Sequence, residues 1–203
     1  MPKVSDVYLE KRRDQILRAA KRCFARNGFK ETTIQDICEE ADVSPGAVYR
    51  YFTSKEDVIE ASVEQAQEVR QVFFSELSQK GDLAFALDEA LGIPVKELTQ
   101  PAVVERMRLR VQLYGEAARN PRIRAAVHKD WRNLIDHFAT IVRQAQSSGQ
   151  INPSLDPEAV SSVLLSIYDG LLVQKMVESE ISVDQYLQAW KALIHGGFWT
   201  GQK

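Results

Sequence analysis

The stretch TTIQDICEEADVSPGAVYRYFTSKEDVI, residues 32–59, decides the fold of this 203-residue chain. After Thr33, a residue type that caps helix N-termini, apolar side chains recur at helical spacing. They are Ile34, Ile37, Cys38 and Ala41. Asp42 then breaks the pattern, and Ser44 followed by Pro45 is typical of the start of another helix. We therefore predict a helix-turn-helix over residues 33–52.

Two longer helices are predicted on either side of this motif. An amphipathic pattern runs over residues 9–26 and ends at Asn27-Gly28, where glycine accepts the left-handed backbone that closes many helices. Ser54 and Asp57 form a capping signature ahead of a helix over residues 55–79. Because isolated helices under about 12 residues are marginal in water, the two short helices need the long ones to pack against.

The rest of the chain is also predicted to be helical. A short helix is expected over residues 83–91, and further helices begin at Pro101, Pro121 and Pro157 and after Ser182. No stretch alternates like a β-strand for long enough to form one. The prediction is an all-α fold of about nine helices.

Composition excludes several classes of protein. Hydrophobic residues at 44% and charged residues at 27% are typical of globular proteins. The only cysteines, Cys23 and Cys38, lack C-x-x-C spacing, which favours a reducing compartment and core positions over a disulfide framework or a zinc site. We expect no membrane partner, since no apolar run approaches about 18 residues, and a cytoplasmic location.

Charge is unevenly distributed along a chain whose net charge is only −2. Residues 1–30 carry nine Lys/Arg and three Asp/Glu, whereas residues 31–60 carry two and eight. A nearly neutral chain gives no general support to a nucleic-acid partner, but its first helix is basic.

The second short helix has an unusual outward face. Val48 and Phe52 supply its inward side, which leaves small residues and polar-tipped aromatics facing out, where a surface meant only for water would carry more Lys and Glu. Such a face fits the DNA major groove. An ordinary corner between two helices remains open as an alternative, and so does an inward position for Tyr49.

Residues 32–59, together with AAKRCFARNGF at 19–29, resemble the TetR family of bacterial transcriptional regulators. Beyond residue 60 the likeness is one of architecture, with DPEAV at 156–160 and YDGL at 168–171 resembling one branch of the family. The resemblance implies a DNA-binding domain over residues 1–56 and an effector-binding and dimerisation domain over 57–203. It also implies a regulator, most often a repressor, that binds palindromic operator DNA as a homodimer and is released by a small, mostly apolar or aromatic effector.

The resemblance assigns DNA contacts residue by residue. Phosphate contacts are implied for Thr33, Ser44, Tyr51 and Lys55. Contacts with base edges or the adjoining backbone are implied for Gln35, Pro45, Gly46, Ala47, Tyr49 and Arg50. The chemistry agrees, because helix N-termini favour phosphate, glutamine suits adenine and arginine suits guanine.

Asp42 departs from the family pattern, which usually has glycine there. Aspartate tolerates the left-handed region better than most residues, so we expect a small strain and an intact motif. The acidic run Glu39, Glu40 and Asp42 would repel phosphate, and we expect it to face away from the DNA.

In the carboxyl-terminal part, the predicted helix over residues 157–178 carries apolar residues on more than one face. This pattern predicts a dimer seam formed with the final helix, although a helix buried centrally in a monomer would look the same. The predicted seam residues are Leu164, Leu171, Leu172 and Trp190.

Effector-binding residues are harder to predict, because large side chains at helical spacing are also typical of an ordinary core. The candidates are Met107, Tyr114, Trp131, Phe138, Tyr168 and Asp169. Gln112, His128 and His137 are further polar candidates.

Two other classes of function remain as alternatives. An all-α enzyme would need a constellation such as H-E-x-x-H or paired E-x-x-H, and the sequence has none, so we expect no catalytic residues and no cofactor. His128, His137 and His195 lack carboxylates at ligand spacing, which predicts no metal site. A helical protein-interaction adaptor is the second alternative, and a gel shift with palindromic DNA would distinguish it from a regulator.

Overall fold

A computed structural model of the chain describes residues 6–78 and 100–194, and every regular element in these ranges is an α-helix. The eight helices are α1 (Asp6–Glu31), α2 (Ile34–Ala41), α3 (Pro45–Tyr49), α4 (Lys55–Ser78), α5 (Pro101–Ala117), α6 (Pro121–Ser147), α7 (Pro157–Val177) and α8 (Val183–Ile194). The all-α prediction is confirmed. The predicted helix over residues 83–91 lies outside the described residues, as does His195.

The predicted helix starts are confirmed by their caps. The Thr33 side chain accepts from the Asp36 amide while the Asp36 carboxylate accepts from the Thr33 amide, a complete capping box. The side chains of Ser44, Asp156 and Ser182 accept hydrogen bonds from backbone amides three residues on. These helices therefore begin where local side-chain chemistry satisfies their first amides.

Helix α1 continues past its predicted end, with a kink at Gly28. This glycine has φ 84° and ψ 164°, and the helical pattern resumes for three more residues. The Thr32 hydroxyl donates to the Gly28 carbonyl at 2.7 Å, which fixes the kink from within a fully buried position. Glycine is needed here because a side chain would be strained at this φ.

The first of two compact units contains described residues 6–71 and 108–132. Its core combines the helix-turn-helix with parts of α5 and α6. The largest fully buried side chains in it are Phe24, Ile16, Leu17, Ile37, Ile123, Val48 and Val58. Cys23 and Cys38 are buried in this core, as predicted. The short helices α2 and α3 thus gain from tertiary packing the stability that their length does not give them.

The second compact unit contains described residues 72–78, 100–107 and 133–194. One cluster centres on Phe138, Ile141, Leu164 and Trp190. The other joins Met107, Leu171, Leu172 and Leu187. Helices α4, α5 and α6 each contribute residues to both units.

Helix α7 packs several of its apolar side chains inside the protomer. Leu171 and Leu172 are 0% and 1% exposed and pack inside the protomer, so their side chains leave no surface for a partner chain. Leu164 and Trp190 are buried in the same way. The helix is also long and apolar enough, by length and composition alone, to cross a membrane, which is weak evidence because core helices of soluble proteins pass the same test. Its packing into two core clusters is typical of the core helix of a globular protein.

Candidate nucleic-acid interface

The turn between α2 and α3 is closed by backbone hydrogen bonds. Asp42 adopts the left-handed conformation, with φ 51° and ψ 53°, as expected for a residue that replaces glycine. The Val43 amide donates to the Cys38 carbonyl at 3.0 Å. Helix α3 ends at Tyr49, earlier than predicted, and the amides of Tyr51 and Phe52 beyond it both donate to the Val48 carbonyl. The result is a five-residue helix packed on the core through Val48.

Most of the predicted DNA contacts lie on the surface of this motif. Exposed residues are Thr33, Gln35, Ser44, Pro45, Gly46, Tyr49 and Arg50. Ala47, Tyr51 and Lys55 are half-buried. Tyr49 is 55% exposed, which decides against its inward alternative, while Val48 and Phe52 point inward as predicted. A Cβ added at Gly46 would meet no atom within 4 Å, so internal packing does not require glycine there.

Lys55 has a structural task that the sequence did not suggest. Its ammonium donates to the carbonyls of Lys30 and Thr32 at 3.0 and 2.9 Å, which ties the start of α4 to the end of α1. Since an ammonium has three donors, one N–H is left for a phosphate oxygen.

Two glutamates of the acidic run, Glu39 and Glu40, have different hydrogen-bond partners. Glu40 accepts from Arg22 and Arg26 of α1, and these hydrogen bonds lower the pKa of its carboxyl group. Glu39 instead accepts from the Gln35 side chain at 3.0 Å, one turn away on the same exposed face. Glu39 thus lies beside Gln35, and the expectation that the acidic run faces away from the DNA stays a prediction. Part of the positive charge of α1 is used to offset Glu40.

An ion-pair cluster that sequence reasoning missed lies at the first turn of α4. Arg122 of α6 donates to both oxygens of Glu60, at 2.6 and 2.8 Å, and also to Asp57. The Asp57 carboxylate accepts from Thr53 and Ser54 as the predicted cap. Hydrogen bonds from the Thr53 hydroxyl and from Arg122 lower the pKa of Asp57. No local pattern could reveal Arg122, because 65 residues separate it from Asp57.

The predicted effector residues fall into separate groups. In the first unit, the rings of Tyr114 and Trp131 meet edge to face, with centroids 5.7 Å apart, and the Trp131 indole donates to the Tyr114 hydroxyl at 3.1 Å. In the second unit, Phe138 and Tyr168 share one core cluster, and Met107 and Tyr168 share the other. Asp169 is half-buried on α7.

The polar candidates differ in burial. The Oε1 atom of Gln112 is buried without a hydrogen-bond partner among the described residues, whereas His128 is exposed and His137 half-buried. An unsatisfied buried oxygen is unusual enough to keep Gln112 among the candidates.

Comparison with known proteins agrees with this architecture. Residues 16–62 match the family described as bacterial regulatory proteins, tetR family, and residues 96–198 match the carboxyl-terminal domain of BetI-type transcriptional repressors. The chain is 30% identical over 91% of both lengths to the HTH-type transcriptional regulator UidR of Escherichia coli K12.

Solved structures give the same result. Salmonella enterica GusR superposes with a TM-score of 0.79 at 27% identity, covering 96% of this chain and 98% of that one. A putative transcriptional regulator from Saccharomonospora viridis in complex with choline shares the fold, with a TM-score of 0.80 at 23% identity over 92% and 96% of the two chains. These matches favour a regulator over an adaptor or an enzyme. The chain belongs to the TetR family of bacterial helix-turn-helix transcriptional regulators.

Proposed function

We propose that this regulator binds palindromic operator DNA as a homodimer and acts as a repressor released by a small effector. The observation that carries the DNA-binding part is the α3 surface, where small residues and the exposed Tyr49 and Arg50 stand on a fully buried Val48. Such a short, firmly supported helix can enter the major groove without Lys and Glu side chains holding it away. The functional division at residues 56 and 57 belongs to this proposal.

The contacts divide into two kinds. Thr33, Ser44, Tyr51 and Lys55 are placed at helix ends or beside them, where amides and hydroxyls suit phosphate oxygens. Gln35, Pro45, Gly46, Ala47, Tyr49 and Arg50 form the surface proposed to meet base edges and their adjoining backbone. Gln35 can exchange its exposed hydrogen bond with Glu39 for an adenine.

Arg50→Ala tests the base-reading surface. With a duplex selected from a random pool by the wild-type protein, we expect the variant to lose about 1 to 3 kcal/mol of affinity and to accept more sequences at one position. Arg143→Ala is the matched control, because Arg143 is also exposed but lies on α6 in the second unit. Equal affinities of wild type and Arg50→Ala, measured by fluorescence anisotropy, would refute the assignment. Lys55 is a poor probe, since its removal also releases the end of α1.

The homodimer is proposed to form through the outer face of α7. Val163, Val173 and Val177 are 59%, 46% and 85% exposed. At 100° per residue they fall on one side of the helix with Ser166 and Gly170, opposite the buried leucines. A Cβ at Gly170 would meet no atom of residues 6–78 and 100–194 within 4 Å, so the small residues of this face allow a second helix to approach closely. A second copy of α7 is the occupant that matches such a face under two-fold symmetry.

The effector is proposed to be a small, mostly apolar or aromatic molecule that contacts α5, α6 or α7. Tyr114 and Trp131 are one candidate group, and Met107, Phe138, Tyr168 and Asp169 are the other. The 42% exposure of Trp131 favours the first group, because core aromatics are normally more deeply buried. For compounds that release the selected duplex, the binding affinity is measured with wild type, Trp131→Phe and Phe138→Leu. A compound whose affinity neither substitution changes would show that both groups are wrong.

Release requires the effector to prefer a conformation that does not bind DNA. A 100-fold weaker complex needs a preference of about 2.7 kcal/mol, and DNA must weaken effector binding equally. We propose that the protein is cytoplasmic, needs no cofactor or metal, and has no membrane partner.

A further inference from the structure

We propose that Arg122 is a positioning residue for operator binding. It holds the first turn of α4, and with it Lys55 and the end of the helix-turn-helix, in the geometry that the DNA requires. This inference rests on the proposed function and assigns a role to a residue outside the surface that meets the DNA.

The contacts of Arg122 are those of a clamp. Its Nε and Nη2 atoms donate to the two oxygens of Glu60 as a fork, Nη2 also donates to Asp57, and Nη1 lies 3.4 Å from the Ser54 hydroxyl. Forked arginine–carboxylate pairs fix orientation as well as distance, which a single ammonium cannot do. Arg122 thus contacts two successive turns of α4 and the residue before its first turn.

Asp57 connects this clamp to the chain that leaves α3. Its carboxylate accepts from the Thr53 amide at 2.7 Å, from the Thr53 hydroxyl and from the Ser54 amide at 3.1 Å. Thr53 follows the buried Phe52, which anchors the end of the helix-turn-helix in the core. Asp57 therefore links Arg122, through hydrogen bonds, to the segment between α3 and Lys55.

The place of Arg122 in α6 supports a specific role. It is the second residue of that helix, and its amide donates to the Asn120 cap. A cation in the first turn of a helix is opposed by the helix dipole, so carboxylate partners have to compensate for it. Asp57 and Glu60 supply that compensation from α4. Helix α6 continues into the second compact unit, so the clamp is on an element that both units share.

The competing interpretation is that Arg122 contacts a phosphate directly. The two interpretations predict opposite signs for Glu60→Gln. Removing a negative charge near a phosphate tightens DNA binding by electrostatics, whereas breaking the fork loosens α4 and weakens binding. Glu60→Gln keeps the size of the side chain, so folding is preserved while one clamp partner is neutralised.

The experiment measures affinity for the selected duplex and its salt dependence for wild type, Arg122→Ala, Glu60→Gln and Arg143→Ala. We expect Arg122→Ala and Glu60→Gln each to weaken binding about five- to tenfold with an unchanged salt slope, since no phosphate contact is lost. Arg143→Ala removes the 4.0 Å pair with Glu158 and should bind like wild type. Urea unfolding of the same variants separates the two causes, because a general loss of stability lowers the unfolding midpoint, whereas a loss of positioning weakens binding by protein that is fully folded.

Several results would overturn the inference. A salt slope reduced by about 0.9 in Arg122→Ala, or tighter binding by Glu60→Gln, would make Arg122 a phosphate contact. Wild-type affinity in both variants would show that the clamp has no role in binding. A wild-type protein that enriches no duplex at all would instead refute the proposed function.

Discussion

The outer face of α7 makes a quantitative prediction about dimerisation. The exposed fractions of Val163, Val173 and Val177 together correspond to about two whole valine side chains per protomer, and burying a whole valine contributes about 1.5 kcal/mol. The double variant Val173→Glu/Val177→Glu removes about 1.3 of these side chains from each protomer, or about 2 kcal/mol per protomer. The dimer should weaken by about 4 kcal/mol, or about 1000-fold in dissociation constant, before charge repulsion is counted.

Two controls separate this effect from unfolding. Val7→Glu makes the same substitution at a valine of α1 that is 60% exposed, and the dissociation constant should not change. Leu171→Ala opens a cavity at a fully buried position and should cost about 2 to 5 kcal/mol of folding stability, while the protein that remains folded stays dimeric.

Sedimentation velocity over a range of concentrations measures the dissociation constant, and urea unfolding measures stability. The double variant should be a folded monomer that has also lost operator binding, because each half-site supplies only part of the affinity. A double variant that dimerises as tightly as wild type would refute the α7 seam. Loss of the dimer in Leu171→Ala at concentrations where the chain is folded would restore the buried leucines as seam residues.

Substitutions at two positions test the local geometry of the helix-turn-helix. Thr33→Ala removes the hydroxyl that accepts from the Asp36 amide, so the free energy of unfolding should fall by about 1 kcal/mol. Thr33→Ser keeps this hydroxyl and should keep the wild-type stability. Equal urea midpoints for the two variants would contradict the capping argument. Asp42→Gly relieves the left-handed conformation at φ 51° and should raise stability by up to about 1 kcal/mol, while Asp42→Val should lower it. Thermal unfolding monitored by circular dichroism measures both, and a destabilised Asp42→Gly would show that the aspartate side chain stabilises the turn by more than its backbone strain costs.

Local chemistry was sufficient to predict the helices and the helix-turn-helix. Caps such as Thr33, Ser44, Ser54 and Asp156 act within three residues of the chain, so their pattern in the sequence reports the same hydrogen bonds that the structure contains. Periodicity gave the inward side of α3 for the same reason. Which contacts the exposed residues make with DNA stays a prediction.

Only the tertiary structure decided which apolar side chains of α7 are buried in the protomer's own core. The sequence shows apolar residues around much of this helix, and periodicity cannot tell which face meets the protomer's own core. Packing against Met107 and Leu187 encloses Leu171 and Leu172 and leaves the valines outside. Tertiary structure likewise brought Arg122 to Asp57 and Glu60, and Lys55 to the end of α1. Contacts between residues distant in sequence follow from how the helices pack, and no short-range pattern encodes them.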